Sequence, residues 1–327
     1  MASMPPVDGK QQQSAKQPPD FSIREARIED AHVLGVICYE AFKAFNESVG
    51  IDYKVDFPSI EMSVEGTRAC IEGPGKALYS CAAVHNETGQ LIGSSYLHHS
   101  DSDAYSIGPI SVDPNQSNKG VGRAIMNSLL DRAKQEGATS IRLKQVAANT
   151  KSFSLYLSLG FIPEDCFGVF WGTAEPERVE AAASSVGLAL NRDAVVRLMQ
   201  EADVASCAQF FKETNGYGRL TGIQRDLGPH SWVITSKEGE ILGYTTGFEF
   251  FKHTCVRTES DLITLFHGVT KNVHIKFLMN LSTGRYPKLA RWALAAGLRL
   301  VRHNWYMAIG DYQAPKDNRV YFPNAFH

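Results

Sequence analysis

The stretch Val112–Leu130, VDPNQSNKGVGRAIMNSLL, restricts the fold of this chain more than any other. An apolar run stops at a proline, a short polar loop with two glycines follows, and an apolar-periodic helix starts at once. Backbone N–H groups at a helix start have no intrahelical acceptor and carry the positive end of the helix dipole. A strand–loop–helix junction of this kind therefore attracts anions. Gly120 and Gly122 leave no Cβ in the way of a ligand, while Lys119 and Arg123 supply charge at the rim. A pyrophosphate suits the arc from Ser117 to Arg123. So does a plain tight connection, because GxG before a helix is a weak signature.

The flanking pattern is α/β. A strand near Phe21 leads to an Asp30-capped helix with Val33, Ile37 and Phe42 roughly along one face. Pro58 breaks the pattern, and a helix follows around residues 60–71. ALYSCAAVHNETGQLIGSSYLHH reads as a hairpin with NETG as its turn. Gly108 and Pro109 inside AYSIGPISV imply a bulge or an unpaired edge. After the loop, Ile125, Met126, Leu129, Leu130 and Ala133 form a buried stripe that ends at Gly137. SIRLKQV is a further strand, and Asn149 caps a helix ending at Gly160.

The chain then starts again. VRLMQEAD at Val196 echoes IREARIED at Ile23, Gly243 echoes Gly93 in a second hairpin, and Gly297 echoes Gly160. The offsets are 173, 150 and 137, so the second copy is shorter between its elements. It has no glycine-rich loop where one is expected, which marks a degenerate duplicate. The reading divides the chain into a disordered tail (1–20), a first domain (21–173), a connector, partly helical, at 174–190 and a second domain (191–327).

Composition excludes several classes. A net charge of −2 gives no electrostatic case for nucleic acid or an anionic membrane. Apolar runs are too short for a membrane span. Six scattered cysteines form no metal-ligand spacing, so no metal is expected, and the cytosol is the default location.

VDPNQSNKGVGRAIM resembles the acyl-CoA pyrophosphate loop of the GNAT superfamily of N-acyltransferases. NTKSFSLYLSLGF resembles that superfamily's second signature, through Asn149, Tyr156, Gly160 and Phe161. Element order from Ile23 to Gly172 follows the same family. The resemblance implies two tandem GNAT-like domains, the second degenerate. Each would hold a mixed, mainly antiparallel sheet with flanking helices and a splayed central strand pair. Acetyl-CoA would be the co-substrate, its pantetheine lying along Ile110, Ser111 and Val112. Its phosphates would meet Ser117, Asn118, Lys119, Gly120, Val121, Gly122 and Arg123. Asn149, Ser152, Phe153 and Tyr156 would face the ligand from the next helix. Ser117 departs from the family, which has Arg or Gln there.

The implied reaction is direct attack of a primary amine on the thioester, without an acyl-enzyme. The Val112 N–H would hold the oxyanion and Tyr156 would protonate the leaving thiolate. Glu40 and His98 are the candidate bases for the amine; the acceptor is unknown, a small molecule being slightly favoured over a protein. Competing with these readings, Asn149 is only a cap, Tyr156 a core aromatic and Glu40 a solvated carboxylate. Asp101 and Asp103 read as loop solvation. In the second half, Ala293 stands where Tyr156 would be, so that half is expected to be structural or to wall off the acceptor cleft. A non-catalytic acyl-CoA sensor is the rival to an enzyme. Acyl length and oligomeric state stay open.

Overall fold

The computed structural model describes residues 19–73, 75–99 and 101–323, so nearly all of the expected 1–20 tail lies outside the described residues. The first half runs β1 (Phe21–Glu25), α1 (Ala31–Ser48), α2 (Ile60–Ile71), β2 (Tyr79–His85), β3 (Leu91–His99), β4 (Ala104–Ile107) and β5 (Ser111–Val112). It continues through α3 (Val121–Gln135), β6 (Ser140–Val146), α4 (Thr150–Ser158) and β7 (Ile162–Gly172). α5 (Pro176–Ser185) lies inside the expected connector and is no loose link. Its small residues Ala182 and Ala183, with Val179, are buried in the second half's core.

The second half runs β8 (Val195–Leu198), α6 (Val204–Asn215), α7 (Leu220–Asp226), β9 (Trp232–Thr235), β10 (Ile241–Thr245) and β11 (Thr254–Val256). Then come α8 (Glu259–Thr270), β12 (Phe277–Ser282), α9 (Pro287–Ala295), β13 (Arg299–Gly310) and β14 (Val320–Phe322).

Local chemistry explains the repeated sequence. Arg24 and Asp30 pair at 2.6 Å before α1, and Arg197 and Asp203 pair at 2.7 Å before α6. In both copies the carboxylate also accepts a backbone N–H three residues upstream, at 2.8 Å. Gly93 and Gly243 each sit where a neighbouring strand comes too close for a side chain. A Cβ would lie 2.7 Å from the Ser111 carbonyl oxygen in one case and 2.6 Å from the Val256 Cα in the other. α1 buries Ala31, Leu34, Gly35, Cys38 and Tyr39, whereas Val33 is exposed. The stripe is thus one residue out of phase with the sequence reading, because Val33 and Leu34 offered two apolar phases.

Boundaries in the sequence are not boundaries in the sheet. One sheet has nine strands, ordered β1-β2-β3-β4-β6-β13-β7-β12, with β5 attached to β3. The other is β14-β11-β10-β9-β8. β13 comes from the second half yet lies between β6 and β7 of the first, antiparallel to both. β7 in turn pairs with β12. The halves have exchanged their last long strands, and each leaves an open edge without the other.

The exchange makes a fragment test direct. Residues 1–173 alone should show no cooperative urea unfolding by circular dichroism, and co-expression with residues 174–327 should restore it. A cooperative transition from the isolated fragment would contradict the exchange.

Candidate active site

β4 and β6 pair in parallel only from Ala104–Ser106 to Ser140–Arg142 and then diverge. β5 stays with β3, and β6 continues to Val146 along β13. The Asp113 N–H donates to the Ile92 carbonyl at 2.9 Å, on the β3 side. N–H groups alternate between the two edges of a strand, so those of Val112 and Ile110 point into the gap. A cleft of about 700 Å³ occupies it.

The glycine loop closes one end. Asn118 and Gly120 have φ of 69° and 85°, the left-handed region that glycine enters freely. Gly120 brings no side-chain cap to α3, and no acidic residue stands in the first turn. The leading N–H groups are therefore left to a ligand. Ser117, Asn118, Gly120, Val121, Gly122 and Arg123 line the cleft, as do Ile110, Ser111 and Val112. Lys119 does not. Its ammonium donates to Gln116 Oε1 at 2.8 Å. Arg123 donates to Ser158 Oγ, also at 2.8 Å.

From α4, Asn149, Ser152 and Tyr156 line the cleft. Asn149 Oδ1 accepts the Ser152 N–H at 3.1 Å, so Asn149 caps the helix as well. Phe153 turns away, 100° further round the helix, and packs 5.9 Å from Trp305 of β13. Tyr156 is 4% exposed and meets Phe161 edge-on at 6.0 Å. Burial pushes its phenol well above the ordinary value, so it is protonated throughout the neutral range.

Both candidate bases lie off the cleft. Glu40 is exposed, because α1 turns Cys38, Ala41, Phe42 and Phe45 to the cleft instead. His98 is buried, with Nε2 3.0 Å from the Gly108 carbonyl oxygen. Burial above all, with the Arg225 charge adding, pushes the imidazole down to about 4 against the raising effect of that hydrogen bond. It is neutral at pH 7 and braces the bend before β5. Asp101 is not merely solvated either, since its carboxylate accepts the Thr221 N–H of α7 at 2.7 Å.

Further polar or charged residues reach the cleft from sites with no local motif. Asp56 and Arg302 form a doubly hydrogen-bonded ion pair, with side chains 1% and 4% exposed. Asn46 Nδ2 donates to the same carboxylate at 2.8 Å. Lys144 and Asn304 join them, with Phe250 and Phe251 of the second half as apolar cover. Burial first, then the Arg302 charge, pulls the Lys144 ammonium down to about 7, with Asp56 opposing. The available signal was charge inside apolar strands, KQ in SIRLKQV and R in LRLVRHNW.

The matching place in the second half is closed. β4 and β11 begin 150 residues apart, β6 and β12 only 137 apart. The shortening falls on the segment that holds β5 and the glycine loop. β11 ends at Val256 and α8 begins at Glu259. Thr258 caps α8 by accepting the Asp261 N–H at 3.1 Å, and Glu259 and Asp261 put negative charge in the first turn. β14 pairs with β11, and Asn280 of β12 donates to the Pro323 carbonyl at 2.9 Å. The chain's own strand fills that gap.

Residues 23–161 match the model of the Acetyltransferase (GNAT) family. This segment is a GNAT domain. A ribosomal protein bS18-alanine N-acetyltransferase from Escherichia coli is 38% identical over 52 residues, 16% of this chain and 35% of that protein. The chain thus spans about a third of the length of the curated relatives it matches. Over the whole chain the fold is similar to a Pyrococcus horikoshii protein provisionally described as an acetyltransferase. There the TM-score is 0.69 at 12% identity, covering 97% of this chain and 99% of that one. A GCN5-related N-acetyltransferase from Sphaerobacter thermophilus gives 0.60 at 14% identity, covering 92% and 99%. Among the described residues, no group of His, Cys, Asp and Glu could hold a metal ion, and no helix is long and apolar enough to cross a membrane. All six cysteines are unpaired.

His98 gives a pH test of this GNAT domain. The unfolded chain binds this proton near 6.5 and the folded chain only near 4. Between those values the unfolded state holds more protons, so stability falls with acidification, by up to about 3 kcal/mol. His98→Gln should flatten that slope when urea unfolding is compared at pH 7 and pH 4.5. An unchanged slope would refute the assignment.

Proposed function

We propose that this chain transfers an acetyl group from acetyl-CoA to a primary amine, by direct attack within a ternary complex. The reading is carried by one coincidence: the uncapped start of α3 and the unpaired edge of β5 open into the same cleft. A diphosphate would take the N–H groups from Gly120 to Arg123. The amides of the pantetheine arm would take the open edges of β5 and β6 as an added strand would. The thioester carbonyl then lies beside the Val112 N–H, which points into the gap and stabilises charge that develops on oxygen.

The amine nitrogen attacks that carbon, the C–S bond breaks, Tyr156 donates its proton to the departing thiolate, and the proton lost by the new amide nitrogen passes to solvent, from which the phenol is restored. Burial keeps the phenol protonated at neutral pH, so the proton is in place for that donation. Glu40 and His98 are not placed to take the proton of the amine. Desolvation does part of their work, since burial in the cleft disfavours an ammonium over the neutral amine. Phe250, Phe251, Arg302 and Asn304 wall the acceptor side. That enclosure favours a small-molecule acceptor over an extended peptide.

Calorimetry with coenzyme A tests the binding half of the proposal. One equivalent per chain is expected, because α8 is self-capped and β14 fills the second gap. No binding, or two equivalents, would refute it. Tyr156→Phe should lower kcat by about 100-fold while coenzyme A affinity is retained. An unchanged kcat would remove Tyr156 as the acid, and absence of thioester cleavage in the unmodified protein with any amine would leave a sensor.

A further inference from the structure

The pleat of β6 sends Leu143 into the core beneath α3 and Lys144 to the opposite face. On that face Lys144 meets the electrostatic influence of Arg302, Asp56 and Arg219. Two cations that line the cleft, Lys144 and Arg302, thus share one carboxylate. Asp56 already accepts three hydrogen bonds, from both terminal nitrogens of Arg302 and from Asn46. Lys144 Nζ and Arg302 Nε are buried and have no hydrogen-bond partner in the protein. Arg219 leaves Nε and Nη1 buried in the same condition. Buried positive charge without a counterion is costly, and the cost disappears when an anion supplies both charge and acceptor.

The cleft also contains the opposite kind of orphan. Asn304 Oδ1 and Gln145 Oε1 line it as buried acceptors without donors, and Ser111 Oγ is buried without a partner beside them. Orphan donors suit a carboxylate, and orphan acceptors suit an amine N–H.

We propose that Lys144 and Arg302 form an anion subsite of the acceptor cleft, so that the amine substrate carries a carboxylate. This rests on the reading of the cleft as an acyl-CoA and amine site. Arg302 keeps Asp56 on its terminal nitrogens and offers Nε, while Lys144 adds a point charge. The excess charge is carried by the protein, so the substrate supplies the negative partner. Held this way, the amine end of the molecule is left to the Asn304 and Gln145 carbonyls. Burial pulls the Lys144 ammonium down to about 7 without the ligand, and a bound carboxylate favours its charged form.

The test is calorimetry on the full chain loaded with coenzyme A. The probes are glycine, 3-aminopropanoate, 4-aminobutanoate and glutamate, each beside its carboxamide, with 3-aminopropylphosphonate as the phosphorus analogue. At least one carboxylate should bind about tenfold more tightly than its amide. Lys144→Met should remove that margin, and Lys144→Gln serves should the methionine variant misfold. Equal binding of acids and amides, no binding of any acid, a margin that survives in the lysine variant, or tighter binding of the phosphonate would each overturn the proposal. Coenzyme A is titrated first. Its failure to bind would strike the acetyl-transfer reading, and the acid–amide margin would still be read on the free protein.

Discussion

Sheet and cleft alike depend on β13. A strand in the middle of a sheet must satisfy N–H and C=O groups on both edges, and β13 does so with β6 on one side and β7 on the other. It fills an opening that the first half cannot close with its own residues. The same strand brings Arg302 and Asn304 to the cleft wall. Arg302 then meets Asp56, from the loop between α1 and α2, out of solvent. A buried pair of this kind adds little net stability, but loss of either member leaves an uncompensated charge. The exchange of strands and the polarity of the acceptor wall are therefore one arrangement.

Two halves with the same element order have met two outcomes through small local differences. In the first, glycine at the start of α3 leaves the helix terminus uncapped, and β5 follows β3 away from β6. The terminus and the strand edge remain open to a ligand. In the second, a two-residue connection replaces the loop, Thr258 satisfies the helix start, and β14 bridges β11 and β12. The helix start and the strand edge left open in the first half have partners from the chain in the second. Backbone satisfaction separates an open cleft from a closed one here.

What the sequence disclosed was local. Gly120, the Asn149 cap and the echo of IREARIED in VRLMQEAD each depend on residues within a few positions, and each could be read as written. The drop in offset from 150 to 137 even located the missing loop. Strand partnership could not be read, because the periodicity of β7 or β13 does not say which edge a strand will join. Glu40 and His98 failed for a related reason. Their side-chain directions follow from the phase of α1 and the pleat of β3, which apolar neighbours on both faces left undetermined. Lys144, Asp56 and Arg302 have no motif because their proximity is a product of the exchange.

Interleaving also has a consequence for how the molecule is made. A ribosome releases β7 well over a hundred residues before β13 appears. At ordinary elongation speeds the nascent chain waits on the order of ten seconds for it. Throughout that pause the exit-side segment exposes a vacant slot between two strands, a natural target for a neighbouring nascent copy. The cleft is thus completed late, only after β13 has emerged.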